Sequence, residues 1–171
     1  MTRESMNKKS FHFKNVSLIG AGLIGGSLAR VIKREGLADR VTAYSRRPET
    51  RERIRELGFV DSVADDIVTA VADADLVVVS VPVSASGSIA KAMGPHLRSG
   101  AIVTDTGSVK QAVIAAMGPH LPEQVHFVPG HPIAGTENTG PDSGFDTLFQ
   151  GRWCVLTPPN GTDPEAVSAI T

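Results

Sequence analysis

The sequence predicts an α/β domain built on a doubly wound, mostly parallel sheet, and three observations carry that prediction. Short apolar runs alternate with helical patterns along most of the chain. One of them, Leu76-Val77-Val78-Val79, is apolar at every position and mostly β-branched, as a strand covered on both faces requires. A glycine-rich turn, Gly20-Ala21-Gly22-Leu23-Ile24-Gly25, joins the first strand to the first helix.

The elements follow in order. Residues 1–13 form a polar leader, and the domain is expected over residues 14–171. Val16 to Ile19 is the first strand, Gly22 to Lys33 the first helix, and Val41 to Tyr44 the second strand. Glu49 to Leu57 is a charged helix stopped by Gly58. The Leu76 run takes fourth place in such an order, and no pattern marks the third strand. Ala101 to Thr104, Val125 to Val128 and Trp153 to Leu156 complete the strands. Two similar segments, Ile89 to Leu97 and Ile114 to Leu121, each end a helix with Gly-Pro-His-Leu. Glycine there is expected to supply a left-handed residue, and proline cannot continue the helix. Asp163-Pro164-Glu165 reads as the N-cap, first-turn proline and early acid of a further helix over 163–171, apparently cut short.

Composition excludes several classes. The 171 residues hold 17 Lys+Arg against 18 Asp+Glu, a formal charge of −1, which offers no basic surface for nucleic acid or anionic membrane. The lone Cys154 forms no internal disulfide and cannot build a structural zinc site, so no metal is expected and a reducing cytoplasm is the simplest compartment. The N-terminal stretch has charge but no apolar h-region, and no apolar run approaches a membrane span.

Gly20-Ala21-Gly22-Leu23-Ile24-Gly25 fits G-x-G-x-x-G in the strand–turn–helix context that gives the motif meaning. Gly20 makes the tight turn, Gly22 admits a pyrophosphate, and Gly25 lets helix and sheet approach; the N–H groups of the helix start, around Leu23 and Ile24, meet the anion. A Rossmann-type dinucleotide site follows. In NAD-binding domains an acid roughly 20 residues on binds the adenosine ribose. Here Ser45 stands in that place, followed by Arg46 and Arg47. A small hydroxyl beside guanidinium groups suits the 2′-phosphate of NADP, which is favoured without excluding NAD.

Ligands of open α/β sheets gather outside the carboxyl ends of the strands. Val81 and Pro82, after the fourth strand, are placed to line the nicotinamide pocket. After the fifth comes Thr104-Asp105-Thr106-Gly107-Ser108-Val109-Lys110, where Ser108 caps the next helix or faces the cleft. After the sixth comes the loop-like Gly130-His131-Pro132-Ile133-Ala134-Gly135-Thr136-Glu137, GHPIAGTE. An imidazole there can take a proton from an alcohol as hydride leaves its carbon, because its pKa is near working pH; a histidine satisfied in a turn is the competing reading. Thr136 and Glu137 could hold substrate, and Glu137 equally could be a solvated acid. His96 and His120 read as structural, His126 as packing, and His12 carries no signal.

With GAGLIGGSLA, SVPV, TDTGSVK, GHPIAGTE and WCVLTP in place, the chain from about Val16 onward resembles the cofactor-binding domain of the prephenate/arogenate dehydrogenases. The resemblance implies oxidative decarboxylation of prephenate or arogenate with hydride transfer to NAD(P)+, in tyrosine biosynthesis. It implies that His131 hydrogen-bonds the ring hydroxyl and assists its deprotonation, and that Ser108 orients both. Family members continue into an α-helical domain that forms a homodimer and supplies further substrate contacts, and that domain is absent from this sequence. The chain alone is therefore expected to bind cofactor and to turn over substrate poorly or not at all. Two alternatives remain: a β-hydroxyacid dehydrogenase-like reductase, which would leave GHPIAGTE unexplained, and a non-catalytic dinucleotide-binding module.

Overall fold

All four residues of the Leu76–Val79 strand are buried, and its neighbours show why. The computed structural model describes residues 11–171. It arranges six parallel strands in the order β3-β2-β1-β4-β5-β6: β1 Phe13–Ile19, β2 Ala38–Tyr44, β3 Ser62–Val63, β4 Leu76–Val79, β5 Ile102–Asp105 and β6 His126–Phe127. Strand order reverses between β1 and β4, so the two crossovers diverge there and leave a crevice at the carboxyl ends.

The period of two along each strand divides the core. Ile19, Val77, Val79 and Val103 face helices α3 (Ile67–Val71), α4 (Val83–Met93) and α5 (Lys110–Met117). Val16, Leu18, Leu76 and Val78 face α1 (Leu23–Arg34), α2 (Pro48–Leu57) and α6 (Pro164–Ile170). The helix α6 starts as the sequence predicts, with the Asp163 side chain accepting from the Glu165 N–H at 2.8 Å. Ala166 is buried in the second core, and Val167 and Ile170 pack beside it.

Several expectations change. Residues 1–10 of the leader lie outside the described residues, and β1 begins at Phe13, whose N–H donates to the Leu37 carbonyl at 2.9 Å. The stretch between Gly58 and Leu76, unmarked in the sequence, holds β3 and α3. β3 is too short to show an apolar alternation, and α3 is capped by Asp66, which accepts from the Thr69 N–H at 2.7 Å. The second helix stops at Gly58 as expected, and Gly58 takes a left-handed conformation with φ 64°, the one expected of Gly94 and Gly118. That expectation fails at Gly94 and Gly118, which keep right-handed helical dihedrals and run into 3₁₀ turns at 94–96 and 118–120. Gly94 is required for another reason: a Cβ there would lie 2.1 Å from the His120 carbonyl oxygen. His126 is half-buried and stands 3.9 Å from Asp163, so it is not wholly core packing.

The GHPIAGTE stretch is not all loop. Gly130–Pro132 forms β7, which pairs antiparallel with β8 (Cys154–Leu156), His131 opposite Val155. This ribbon is separate from the main sheet and stands at its carboxyl end. No helix among the described residues is long and apolar enough to cross a membrane.

Candidate active site

β1 ends in the glycine turn, and the structure distinguishes what each glycine does. Gly20 has φ 92°, and a Cβ on it would sit 2.3 Å from the Ser80 carbonyl oxygen. A Cβ on Gly25 would lie 2.0 Å from the Gly20 carbonyl oxygen, so this contact sets how closely α1 approaches the turn. At Gly22 a Cβ would meet nothing within 4 Å. Gly22 is also the N-cap of α1 and offers no side-chain cap, while the first intrahelical bond runs from Gly26 N–H to the Gly22 carbonyl at 2.8 Å. The N–H groups of Leu23, Ile24 and Gly25 precede that first bond and are left for an anion, whose charge the helix dipole favours. Open space beside Gly22 is where a pyrophosphate would come.

Gly20, Ala21 and Gly22 border a cleft of about 630 Å³ that also meets Ser45, Arg46, Arg47, Val81 and Pro82. Ser45 follows β2 directly, and no carboxylate precedes Glu49. Arg51 lies behind them and donates to the carbonyls of Ser45 at 2.9 Å and Arg46 at 3.1 Å, holding the turn in shape. Arg51, Arg53 and Arg55 all pair with acids, whereas the exposed side chains of Arg46 and Arg47 make no ion pair or hydrogen bond among the described residues. Two uncommitted guanidinium groups thus border the cleft where an adenosine ribose would lie. Pro82 is the N-cap of α4. Across the crevice the Thr106 hydroxyl donates to the Ser80 hydroxyl at 3.2 Å, joining the loops after β4 and β5.

The loops after β5 and β6 are joined by a feature that sequence reasoning missed. Asp105, 3% exposed at the end of β5, pairs with Lys110 at the start of α5. Its carboxylate also accepts from the N–H of Gly107 at 2.7 Å and of Gly130 at 3.3 Å. The Lys110 ammonium donates to the Gly130 carbonyl at 2.6 Å. Both backbone polar groups of the residue before His131 are therefore held by one buried ion pair. Ser108 sits inside the Asp105–Lys110 loop, so the same pair fixes both candidate residues' backbones. An aspartate closing a strand five residues before a lysine was the available signal, and only the fold shows that they meet.

Ser108 is exposed and does not cap α5; Val109 is the N-cap residue and no side chain bonds there. Its hydroxyl and the half-buried His131 ring form no hydrogen bond to each other or elsewhere among the described residues, so the structure ties their neighbours Gly107 and Gly130 to one ion pair without pairing the two side chains. Thr136 accepts from the Asn138 N–H at 3.2 Å, which stabilises its own turn, and Glu137 is exposed. His12, read as featureless, bonds Asp39 at 2.7 Å and the Gly36 carbonyl at 3.0 Å, on the periphery. Among the described residues no group of His, Cys, Asp or Glu side chains is placed to hold a metal ion.

Comparison with known proteins completes the description. The family of the prephenate dehydrogenase nucleotide-binding domain matches residues 28–171. A cyclohexadienyl dehydrogenase of Zymomonas mobilis is 46% identical over 158 residues, which is 92% of this chain and 54% of that protein. The crystal structure of A. aeolicus prephenate dehydrogenase with hydroxyphenyl propionate and NAD+ superposes with a TM-score of 0.85 at 34% identity, covering 95% of this chain and 56% of that one. Synechocystis arogenate dehydrogenase gives a TM-score of 0.83 at 33% identity, covering 91% and 54%. The chain thus spans about half the length of these relatives.

Proposed function

The chain belongs to the prephenate dehydrogenase family, as its nucleotide-binding domain, and from that premise we propose that it serves the NAD(P)+-dependent oxidative decarboxylation of prephenate or arogenate in tyrosine biosynthesis. The observation that carries the proposal is the position of His131. It follows β6 at the carboxyl edge of the sheet, on the side where the cleft beside Gly22 opens, and the residue before it, Gly130, is held by the Asp105–Lys110 pair.

The cofactor fits the residues present: a helix N-terminus free of any side-chain cap, an open Gly22, and Ser45 with Arg46 and Arg47 at the ribose position. NADP is favoured over NAD, because two guanidinium groups without partners suit a 2′-phosphate and no carboxylate opposes one. Leu23, Ile24 and Gly25 would hold the pyrophosphate through their N–H groups, and Val81 with Pro82 would confine the nicotinamide side. A bound nicotinamide supplies the acceptor for the hydride.

His131 takes the proton of the substrate ring hydroxyl while hydride leaves the same carbon. Loss of carbon dioxide returns its bonding electrons to the ring, and the ring oxygen regains its proton from the His131 imidazolium in the phenol product, so no net acid or base is consumed. Aromatisation supplies the driving force, which leaves this chain the tasks of positioning and one proton transfer. Ser108 orients the hydroxyl and the imidazole, which requires their side chains to turn toward a bound substrate. Thr136 and Glu137 border the substrate end.

Exposed apolar side chains near this end, Val109, Ile133, Trp153 and Val155, suit cover by further protein, and a homodimer through a helical region is proposed for the complete enzyme. A cytoplasmic location agrees with the free thiol of the exposed Cys154. These 171 residues span about half the length of the relatives they match, and by themselves they are proposed to bind cofactor and to turn over prephenate poorly or not at all. Calorimetric titration with NADP+ and NAD+, beside a 340 nm assay with prephenate, tests both statements. Absence of dinucleotide binding would sink the proposal, and brisk turnover by this chain would sink its second half.

A further inference from the structure

Between β7 and β8 the chain leaves the substrate end and runs back across the outside of α1 to reach α2. Phe145 N–H donates to the buried Ser27 hydroxyl of α1 at 3.0 Å. Gly144 lies so close to α1 that a Cβ on it would stand 3.0 Å from the Gly26 carbonyl carbon and 3.1 Å from the Ser27 nitrogen. Asp146 pairs with Arg34 of α1 at 3.0 Å, and the Asp142 carboxylate accepts from Arg53 Nε of α2 at 2.9 Å. Leu148 is buried beyond them. One segment therefore grips both helices that bracket the adenosine half of the cleft. Just before its first pin, Gly140 and Pro141 form part of that cleft's wall, on the same volume as Gly22, Ser45 and Arg46.

The strength of these pins is unequal. The two ion pairs are half-exposed, and such pairs contribute only about 0–1 kcal/mol each. The close backbone contact at Gly144 and the buried Ser27 bond tolerate little displacement, so they set where Gly140 and Pro141 stand.

We propose that this segment, residues 139–146, is a strap that forms part of the dinucleotide site, with Pro141 as a contact residue and Gly144 as the residue that seats it. The proposal rests on the cofactor assignment above. The strap covers the α1 side of the adenosine half and fixes the spacing of α1 and α2, so the cleft is shaped before cofactor arrives. It also joins the His131 strand covalently to the cofactor wall, since β7 and the strap are one continuous run of chain.

The test uses the 171-residue chain, NADP+, NAD+ and 2′,5′-ADP, with dissociation constants measured by calorimetry and thermal midpoints recorded alongside. Pro141→Gly removes the wall without touching a pin; its freer unfolded chain lowers the midpoint slightly, and a three- to fivefold loss of affinity is expected at temperatures where it is fully folded. Gly144→Val forces a side chain against the α1 backbone and lifts the strap, for an expected loss of tenfold or more. Both losses should appear with 2′,5′-ADP, because the strap borders the adenosine half. Gly118→Ala, at a glycine with open space around it, serves as the control and should bind as wild type. If wild type binds and both strap variants bind within twofold of it, the strap's role is overturned alone. If wild type binds none of the three ligands, the cofactor assignment falls and takes the strap's role with it.

Discussion

Replacing Lys110 with methionine removes an ammonium while keeping most of the aliphatic stem, and its cost can be worked from the contacts of Asp105. The Asp105 side chain is 2% exposed and that of Lys110 12%, so water cannot replace the lost cation readily. Breaking a buried pair on one side costs about 3–5 kcal/mol. Asp105 keeps two N–H donors, from Gly107 and Gly130, which hold the expected loss to the lower end, about 3 kcal/mol. For a domain of this length that lowers the thermal midpoint by roughly 6–12 °C. The double variant Asp105→Asn/Lys110→Met should recover part of the loss, because an absent pair costs less than a broken one. Urea titration followed by far-UV circular dichroism gives these values; Trp153 is 82% exposed and would report the transition weakly by fluorescence. Dinucleotide affinity should stay within twofold of wild type, since neither Asp105 nor Lys110 lines the dinucleotide cleft. A Lys110→Met variant within about 0.5 kcal/mol of wild type would refute the claim that Asp105 depends on Lys110.

Gly25→Ala should prevent stable folding, since the added carbon would overlap the Gly20 carbonyl, whereas Gly22→Ala should fold normally and lose dinucleotide affinity. Circular dichroism with calorimetric titration separates them, and normal affinity in Gly22→Ala would place the pyrophosphate elsewhere. Arg46→Ser/Arg47→Ser should weaken NADP+ binding by tenfold or more, as expected for lost charge-assisted bonds of about 1.5–3 kcal/mol, and leave NAD+ within twofold. Equal losses for both dinucleotides would argue against 2′-phosphate recognition. The Lys33 ammonium, aided by the Val41 N–H, holds the Asp61 carboxyl below its ordinary pKa. A depressed folded-state pKa means that this contribution is complete above the ordinary carboxylate value and fades as pH falls through the lower one. The stability gap between wild type and Asp61→Asn should therefore be constant near neutrality and close in acid. A gap that persists unchanged at pH 2 would contradict the linkage.

What the sequence revealed and what it hid divide along contact distance. The phosphate turn was legible because Gly20, Gly22 and Gly25 act within one strand–turn–helix unit. The buried β4 was legible because four consecutive apolar residues need cover on both faces. Two-residue β3 was not, since no periodicity fits in two residues. The Asp105–Lys110 pair was not legible, because its meaning depends on Gly130, which only the fold lays against it. Ser108 shows the reverse failure: its position suggested a cap, but the helix starts later and Val109 takes that place. The strap was invisible because its partners, Ser27 and Phe145 or Arg53 and Asp142, lie far apart in the chain, and nothing local in either segment announces the other.

The paired Gly-Pro-His-Leu segments make that limit testable, because identical letters there do different work. Gly94 and Gly118 both end a helix with right-handed dihedrals that alanine adopts freely. A Cβ at Gly94 would press on the His120 carbonyl, which belongs to the second copy of the motif, whereas a Cβ at Gly118 would meet nothing within 4 Å. Further along the same interface, a Cβ at Gly87 would already stand 3.1 Å from the Ala116 carbonyl oxygen, so α4 cannot slide away without disturbing a second close contact. Gly94→Ala should therefore destabilise by at least the roughly 1–3 kcal/mol typical of overpacking. Gly118→Ala should stabilise by about 0.4–1 kcal/mol, through the lower entropy of the unfolded chain alone. Urea midpoints of the two variants, measured side by side, should move in opposite directions. Movement in the same direction would mean that the two helices are not packed through Gly94, since the local sequence gives no reason for the signs to differ.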